Sequence, residues 1–199
     1  MNSSNYNEAV ISAILSRHSV RAFTDEAVTQ EAMQKILACA FAAPSAMNKQ
    51  SWFISVVDNR GLIDEMSEEI IQGALKQPAY AKIMASRENF HAFYRAPLVL
   101  MISGETDDRS SKVNSGILLQ NVLLAAEAVG LGACPIGFAR FLFEEDATTA
   151  KYKKQLAIPE THSPVLAVAI GKVAPQWESK PDYPLDWQSV HGQNVAFIR

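Results

Sequence analysis

Hydrophobic residues in the first part of the chain change from helical to extended spacing. Between residues 6 and 16 they recur every three or four positions, which predicts a helix, and the segment 20–23 is typical of extended chain. A second helix is expected to begin after the capping residue Thr29. It should end near Ala43, because the proline that follows disfavours helical geometry in the residue before it. A loop then extends to residue 51.

Four short apolar runs are expected to form strands, at Trp52–Val57, 98–102, 131–136 and 165–170. The second run is apolar throughout, which indicates burial on both faces of a sheet. More polar helices are predicted at 62–76, 79–90 and 145–156. No repeat or linker interrupts the pattern, so residues 1–199 are interpreted as one α+β domain.

The helix expected at 113–129 is apolar on almost every side. Such a helix is buried either in a core or in a subunit interface, and Gly130 is placed to end it. Four short strands offer little cover in a chain of 199 residues, which favours an obligate homodimer. Residues 171–199 are rich in proline and aromatic residues with little periodicity, and they are expected to extend over the partner subunit.

Composition narrows the function only a little. The net charge of -3 and the pI of about 5.8 argue against a nucleic-acid-binding protein. No apolar stretch is long enough to span a bilayer, and the first residues do not resemble a secretory signal, so the cytoplasm is the expected compartment. Cys39 and Cys134 lie in apolar segments and are interpreted as small buried hydrophobic residues.

Several common kinds of catalytic site are absent from the sequence. The histidines and cysteines do not have the spacing of zinc or haem ligands, and neither a nucleophile elbow nor a phosphate loop occurs. Gly130 and Gly132 resemble the start of a dinucleotide fingerprint, but the third glycine is missing and the pair follows a helix rather than a strand. A nicotinamide nucleotide would therefore be used without a separate nucleotide-binding domain.

The first informative cluster is the pentapeptide 17–21. Arg17 and Arg21 share a face in either a helix or a strand, and Ser19 joins them if the chain is extended. Two guanidinium groups and a hydroxyl group on one side can hold a phosphate. The alternative is a pair of solvated surface arginines beside a turn serine.

A second cluster, residues 43–52, carries amide and hydroxyl groups between a buried helix and a buried strand. The side chains of Asn48 and Gln50 can donate and accept hydrogen bonds, as the edge of a flavin or a nucleobase requires. The alternative is a capped turn that leads Trp52 into the core.

A third cluster joins the amides of Gln120 and Asn121 to the segment 130–138. The amides need partners on an otherwise apolar helix. Pro135 and Gly137 would let the backbone approach a flat ligand, because glycine has no side chain. The alternative is a strand that ends in a turn, with both amides bound to neighbouring backbone.

Together, Arg-x-Ser-x-Arg, Ala-Pro-Ser-x-x-Asn-x-Gln and the Gln-Asn helix leading into Gly-x-Gly-x-x-Pro-Ile-Gly-Phe resemble the nitroreductase family of FMN enzymes over residues 8–185. The resemblance implies a mixed, mainly antiparallel sheet flanked by helices in an intertwined homodimer. It also implies FMN as the cofactor and NADH or NADPH as the electron donor. Residues 62–95 would cover the substrate side.

The resemblance implies the following flavin contacts. Arg17, His18, Ser19 and Arg21 would contact the phosphate, the ribityl chain and the ring edge of FMN. The partner subunit would contribute Pro44, Ser45 and Asn48, with Gln50 as a further cofactor-binding candidate in that loop. The ring would lie against Pro135, Ile136 and Gly137. Many members bind the phosphate through a late arginine, for which Lys172 and Lys180 are the nearest candidates here.

Two further departures concern Ser51, where many members have proline, and Asn114, where many have aspartate. The implied activity is ping-pong electron transfer from NAD(P)H to a nitroaromatic, a quinone or a similar small organic acceptor, without a dedicated acid or base. The alternatives are a same-fold flavin enzyme with different chemistry (a dehalogenase, a flavin-fragmenting or a ring-oxidising enzyme), a flavin carrier or sensor without turnover, and a plain interaction module. The sequence names neither the natural acceptor nor the preferred donor.

Overall fold

The structure, a computed structural model, describes residues 8–86, 89–178 and 198. Within these residues the helices are α1 (Glu8–Ser16), α2 (Gln30–Phe41), α3 (Arg60–Leu75), α4 (Pro78–Ala85), α5 (Ser111–Ala128) and α6 (Asp146–Gln155). The strands are β1 (Trp52–Val57), β2 (Leu98–Glu105), β3 (Gly132–Ile136) and β4 (His162–Gly171), and the 3-10 segments are Ala46–Asn48 and Gly137–Phe143.

The four strands form one sheet in the order β1-β2-β4-β3, and each neighbouring pair is antiparallel. Ser19 adds a parallel bridge to Ala133 at the β3 edge. The sheet is therefore mixed and mainly antiparallel, and helices cover both faces, so the predicted α+β fold class is confirmed.

The two faces of the sheet carry separate apolar cores because strand side chains alternate between faces. Along β2, Met101 joins the core under α3, the 3-10 segment Gly137–Phe143 and α6. Its neighbour Leu100 joins the core under α2 and α5. Both side chains are fully buried, as the uninterrupted apolar run predicted.

Most predicted elements are present, with their ends shifted by a few residues. Thr29 caps α2 by accepting the backbone N–H of Ala32 at 3.2 Å, as predicted. The helix predicted at 79–90 is shorter, since α4 ends at Ala85. Asn89, within the predicted range, has φ of 54°, a left-handed geometry that a right-handed helix does not contain.

Helix α5 is only partly covered by its own chain. Leu118, Val122 and Ala126 are fully buried, whereas Val113 is 65% and Ile117 is 36% exposed. Gly130 follows the helix with φ of +76° and ends it as predicted, because glycine adopts this geometry without a steric penalty. One apolar side of α5 is therefore exposed in this chain.

The interpretation of both cysteines as buried residues is wrong for one of them. Cys134 is buried in β3, but Cys39 is exposed on α2. Cys39 instead lines an apolar groove of about 460 Å³ between α1, α2 and α5. Helical periodicity alone does not reveal such a groove, because its walls come from three separate helices.

None of the helices in the described part of the chain is long and apolar enough to cross a membrane. Of the C-terminal arm predicted at 171–199, residues 179–197 and 199 lie outside the described residues.

Candidate functional site

The segment 17–21 lies extended along β3. Ser19 forms its bridge with Ala133, and the backbone N–H of Val20 donates to the Ala133 carbonyl at 3.1 Å. A methyl group on Gly132 would lie only 2.7 Å from Val20 Cγ2, so glycine is required for this close approach. The extended geometry places Arg17, Ser19 and Arg21 on one side of the segment.

One nitrogen of the Arg17 guanidinium group lacks a hydrogen-bond partner. Its Nη1 atom is buried and has no hydrogen-bond partner among the described residues. A buried guanidinium nitrogen without a partner is costly, so this geometry favours the binding of an anion. Arg21 is exposed, and its Nη1 atom donates to the Ser19 carbonyl at 3.2 Å.

The side chains of Arg17, Ser19 and Arg21 all influence the thiol of Cys134. Burial raises the pKa of the Cys134 thiol above its usual value. The charge of Arg21, hydrogen bonding from Ser19 and the charge of Arg17 oppose that rise. Both arginines therefore lie close enough to β3 to act on a single thiol.

A cavity of about 330 Å³ opens beside this thiol. It is lined by Arg21, Tyr80, Tyr94, Cys134, Pro135, Ile136, Gly137, Phe138 and Arg140. The first and third sequence clusters thus meet in one place. A methyl group on Gly137 would contact nothing within 4 Å, so the floor of the cavity is open at this residue.

The walls of the cavity are aromatic, and the sequence motifs did not indicate them. The rings of Tyr80 and Phe138 meet edge to face at 5.7 Å, and Tyr94 lines the same cavity. Tyr80 and Tyr94 belong to the predicted substrate-side segment 62–95, but most of α3 in that segment packs into the core under the sheet. No local spacing joins these aromatic residues to Phe138, which lies more than forty positions later in the chain.

The second cluster forms a tightly bonded, exposed loop. Gln50 donates its backbone N–H to Ser45 Oγ at 2.9 Å and its Nε2 group to Asn48 Oδ1 at 3.0 Å. Met47, Asn48 and Gln50 have φ of 53°, 54° and 50°, a geometry that is costly for residues other than glycine. The loop therefore presents its amide groups to the outside in one defined conformation.

Asn114 anchors this loop to α5. Its Oδ1 atom accepts the backbone N–H of Ala46 at 3.2 Å, and its Nδ2 group donates to Ser51 Oγ at 3.2 Å. Ser51 Oγ donates in turn to Asp108 at 2.5 Å. Hydrogen bonds from Ser51 and from the Ser110 backbone, together with Lys49, lower the pKa of the Asp108 carboxyl group. The departures at Ser51 and Asn114 thus form one polar network.

Within one protomer the loop lies far from the cavity. The loop leads into Trp52, which is opposite Gly104, whereas Ile136 in the cavity wall is level with Met101 through Ala167. Three residues of β2 separate these levels, or about 10 Å along the strands, and three strand spacings add about 14 Å across the sheet. One chain alone does not bring the loop and the cavity onto the same flat ligand.

The remaining predicted positions have separate outcomes. His18 is half-buried between the two arginines, and Pro44 lies exposed at the start of the loop. Lys172 does not line the cavity, and its ammonium group pairs with Glu26 at 2.7 Å. Lys180 lies outside the described residues. Asn121 donates to the Cys39 carbonyl at 2.8 Å, so neighbouring backbone satisfies this amide.

The fold and the site define an α+β protein with a cationic, aromatic-walled cavity at a sheet edge. The sequence model of the Nitroreductase family matches residues 14–172. The chain belongs to the nitroreductase family, as the motifs predicted.

Individual relatives agree with this assignment. The chain is 31% identical over 178 residues to the NADPH-flavin oxidoreductase of Vibrio harveyi, covering 87% of this chain and 70% of the relative. It is 27% identical over 164 residues to a putative NADH dehydrogenase/NAD(P)H nitroreductase of Archaeoglobus fulgidus, covering 82% of this chain and 85% of the relative. A Desulfitobacterium hafniense nitroreductase crystallised with bound FMN superposes with a TM-score of 0.84 at 27% identity, covering 100% of both chains.

Proposed function

We propose that this protein holds FMN noncovalently and transfers electrons in a ping-pong cycle from NADH or NADPH to a nitroaromatic, a quinone or a similar small organic acceptor. The enzyme class and the cofactor predicted from the sequence, an NAD(P)H-dependent oxidoreductase with FMN, are confirmed by the family and by relatives named for these activities. The acceptor itself is part of the proposal.

The observation that carries the proposal is the buried Nη1 atom of Arg17, which has no partner among the described residues and lies on the segment that leads to Arg21 at the cavity. A terminal phosphate supplies the negative charge and the acceptor oxygens that Nη1 lacks. Ser19 and Arg21 lie on the same side of the extended segment and complete a cradle for one phosphate. The residues therefore fit FMN, which carries one phosphate, better than a ligand with a pyrophosphate, for which no glycine-rich fingerprint is present.

When bound, FMN supplies the chemistry of hydride acceptance and donation, while the protein supplies position and electrostatics. The open backbone at Gly137 and the neighbouring Pro135 provide a flat floor for the ring. Arg21 places a positive charge at the cavity and stabilises negative charge that develops on a bound ring. Tyr80 and Tyr94 provide aromatic faces for a planar acceptor.

The exposed loop at 44–50 fits this scheme as a contribution from a second subunit. Its amide groups are ordered by Ser45 and Asn114, and the loop leads into β1, at the opposite edge of the sheet from the β3 wall of the cavity. Asn48 and Gln50 would then bind the ring or the ribityl chain in the partner's site. Each site of the proposed homodimer needs residues from both chains.

The surface of the protomer supports such an assembly. Five of the exposed apolar side chains lie on the neighbouring helices α1, α2 and α5, and they are Val10, Ile14, Phe41, Val113 and Ile117. The groove between these helices is lined almost entirely by apolar residues. A two-fold axis buries such a patch against its own copy. The apolar side of α5 that is exposed in the protomer would lie in this contact.

An absorption spectrum of the freshly purified protein tests the cofactor. The protein should be yellow, and acid or heat should release an intact flavin that chromatography identifies as FMN. Anaerobic addition of NADH or NADPH should bleach the flavin band, and a nitroaromatic or a quinone should restore it. Recovery of FAD, of a covalently attached flavin or of no flavin would contradict the proposal. A bound flavin that neither nucleotide reduces would instead favour a flavin carrier.

A further inference from the structure

The cavity has a second cation, Arg140, which lies outside the proposed phosphate-binding segment. Arg140 lies in the 3-10 segment that begins at Gly137. A 3-10 helix has three residues per turn and rises about 2 Å per residue, so Arg140 projects from the same side as Gly137 and about 6 Å further along. Arg140 therefore lies roughly the width of one aromatic ring beyond the cavity floor at Gly137.

The guanidinium group of Arg140 is held by aromatic rings. Its Cζ atom lies 5.0 Å from the centroid of the Tyr80 ring and 4.6 Å from that of the Phe141 ring. Cation–π contacts of this kind hold the planar group in a fixed orientation. The orientation is therefore set before any ligand binds.

The hydrogen-bonding capacity of Arg140 is largely unused. Its Nε atom lies 3.6 Å from Glu144 Oε1, a long ion pair at a side chain that is 49% exposed. Neither terminal nitrogen has a hydrogen-bond partner among the described residues. Among the residues that the structure describes, no aspartate or glutamate lines the cavity, so Arg21 and Arg140 make it locally cationic in a chain of net charge -3.

We propose that Arg140 binds an anionic group carried directly on the ring of the electron acceptor, so that aromatic carboxylates and sulfonates are preferred over their neutral counterparts. The proposal rests on the function proposed above. A planar guanidinium group suits these anions because it donates two parallel hydrogen bonds. Arg140 lies about one ring's width beyond the floor proposed for the flavin, so it can reach a substituent on an acceptor ring stacked there, whereas the 2′-phosphate of NADPH is separated from the nicotinamide by two riboses and a pyrophosphate.

Two isosteric probes test this preference, namely 4-nitrobenzoate and its neutral amide, 4-nitrobenzamide. Binding of each to the oxidised, flavin-loaded protein is measured by calorimetry, so the result does not depend on turnover. Kinetics with NADH as donor then give kcat/KM for each acceptor. In Arg140→Met the affinity for nitrobenzoate should fall about five- to tenfold, while that for nitrobenzamide changes less than twofold.

Two further variants sharpen the comparison. Arg140→Lys keeps the charge but loses the planar stacking on Tyr80 and Phe141, so it should recover only part of the preference. Arg109→Met removes an exposed arginine in the loop before α5 and should leave the ratio between the two probes unchanged.

Three results would overturn the inference. Equal losses for both probes would give Arg140 a purely structural role. A rise in KM confined to NADPH would assign it to the nucleotide phosphate, and a loss of FMN affinity with unchanged discrimination would assign it to the cofactor. Failure of the function proposed above is distinguishable, because the unmodified protein would then contain no flavin or would not be reduced by NAD(P)H.

Discussion

The Nε2 atom of His91 lies 3.0 Å from the Oδ1 atom of Asp64, and the other ring nitrogen of His91 holds a strained turn. His91 Nδ1 accepts the backbone N–H groups of Phe93 and Arg95 at 3.1 and 3.2 Å. Nδ1 is therefore unprotonated, and the neutral ring donates Nε2–H to Asp64. Tyr94 and Arg95, both with positive φ, lie inside this turn, and Tyr94 lines the cavity.

This arrangement predicts that stability falls in mild acid. Burial lowers the pKa of His91, Arg95 and Arg60 lower it further, and Asp64 opposes them. The unfolded chain therefore binds this proton more readily, near the ordinary value of 6.5, than the folded protein does. The free energy of unfolding should be constant above about pH 6.5 and should decrease as the pH falls below it. Urea denaturation at one fixed protein concentration measures this dependence.

His91→Asn provides the matched variant, because its amide oxygen can accept a backbone N–H but does not titrate. It should be less stable at pH 7.5 by about 1–3 kcal/mol and should show a flatter dependence on pH. His162→Asn, at the start of β4, should retain the original slope. An unchanged slope in His91→Asn would show that another group causes the acid sensitivity.

The phosphate cradle predicts the effect of removing either arginine of the segment 17–21. Arg17→Ala and Arg21→Ala should each weaken FMN binding by about 1–3 kcal/mol, because a charged hydrogen bond is lost. Fluorescence titration of the flavin-free protein with FMN gives the dissociation constants. Lys154→Ala removes an exposed cation on α6 and should have little effect. Full flavin occupancy in both arginine variants at low free FMN would refute the cradle.

The close packing at Gly132 predicts that one substitution there will lower both the stability of the fold and the affinity for FMN. In Gly132→Ala the new methyl group would lie 2.7 Å from Val20 and 2.9 Å from Val173, so the segment 17–21 must move away from β3. Thermal and urea unfolding should show a loss of about 1–3 kcal/mol, together with weaker FMN binding. Gly61→Ala is the control, since its methyl group would be 3.4 Å from the nearest atom. Unchanged FMN affinity in Gly132→Ala would separate the cradle from β3.

The exposed side of α5 predicts where the proposed dimer forms. Ile117→Glu would place a carboxylate in the contact and should raise the dimer dissociation constant at least about tenfold, since burying an unpaired charge is costly. Flavin retention should fall with it, because the site would lose the partner's loop. Leu75→Glu is the matched control, as an exposed apolar residue on α3, which covers the opposite face of the sheet. Light scattering of the flavin-loaded protein over a concentration series provides the measurement, and a flavin-bound monomer at micromolar concentration would contradict the dimer.

The sequence by itself determined the features that depend on neighbouring residues. The apolar runs located all four strands, and Thr29 and Gly130 marked the ends of helices. These predictions succeeded because helix and strand periodicity, capping and turn geometry are local properties of the chain. The order of the three motifs also sufficed to identify the family.

Only the tertiary structure decided which distant residues meet. It joined Arg21 to Tyr80 and Arg140 in one cavity, left Cys39 exposed and placed the loop at 44–50 at the opposite edge of the sheet from the cavity. Strand order and register bring together side chains that are separated by a hundred or more positions, and no local spacing encodes this order. The candidate phosphate ligands were therefore proposed from five consecutive residues, whereas the aromatic wall and the second cation required the assembled sheet.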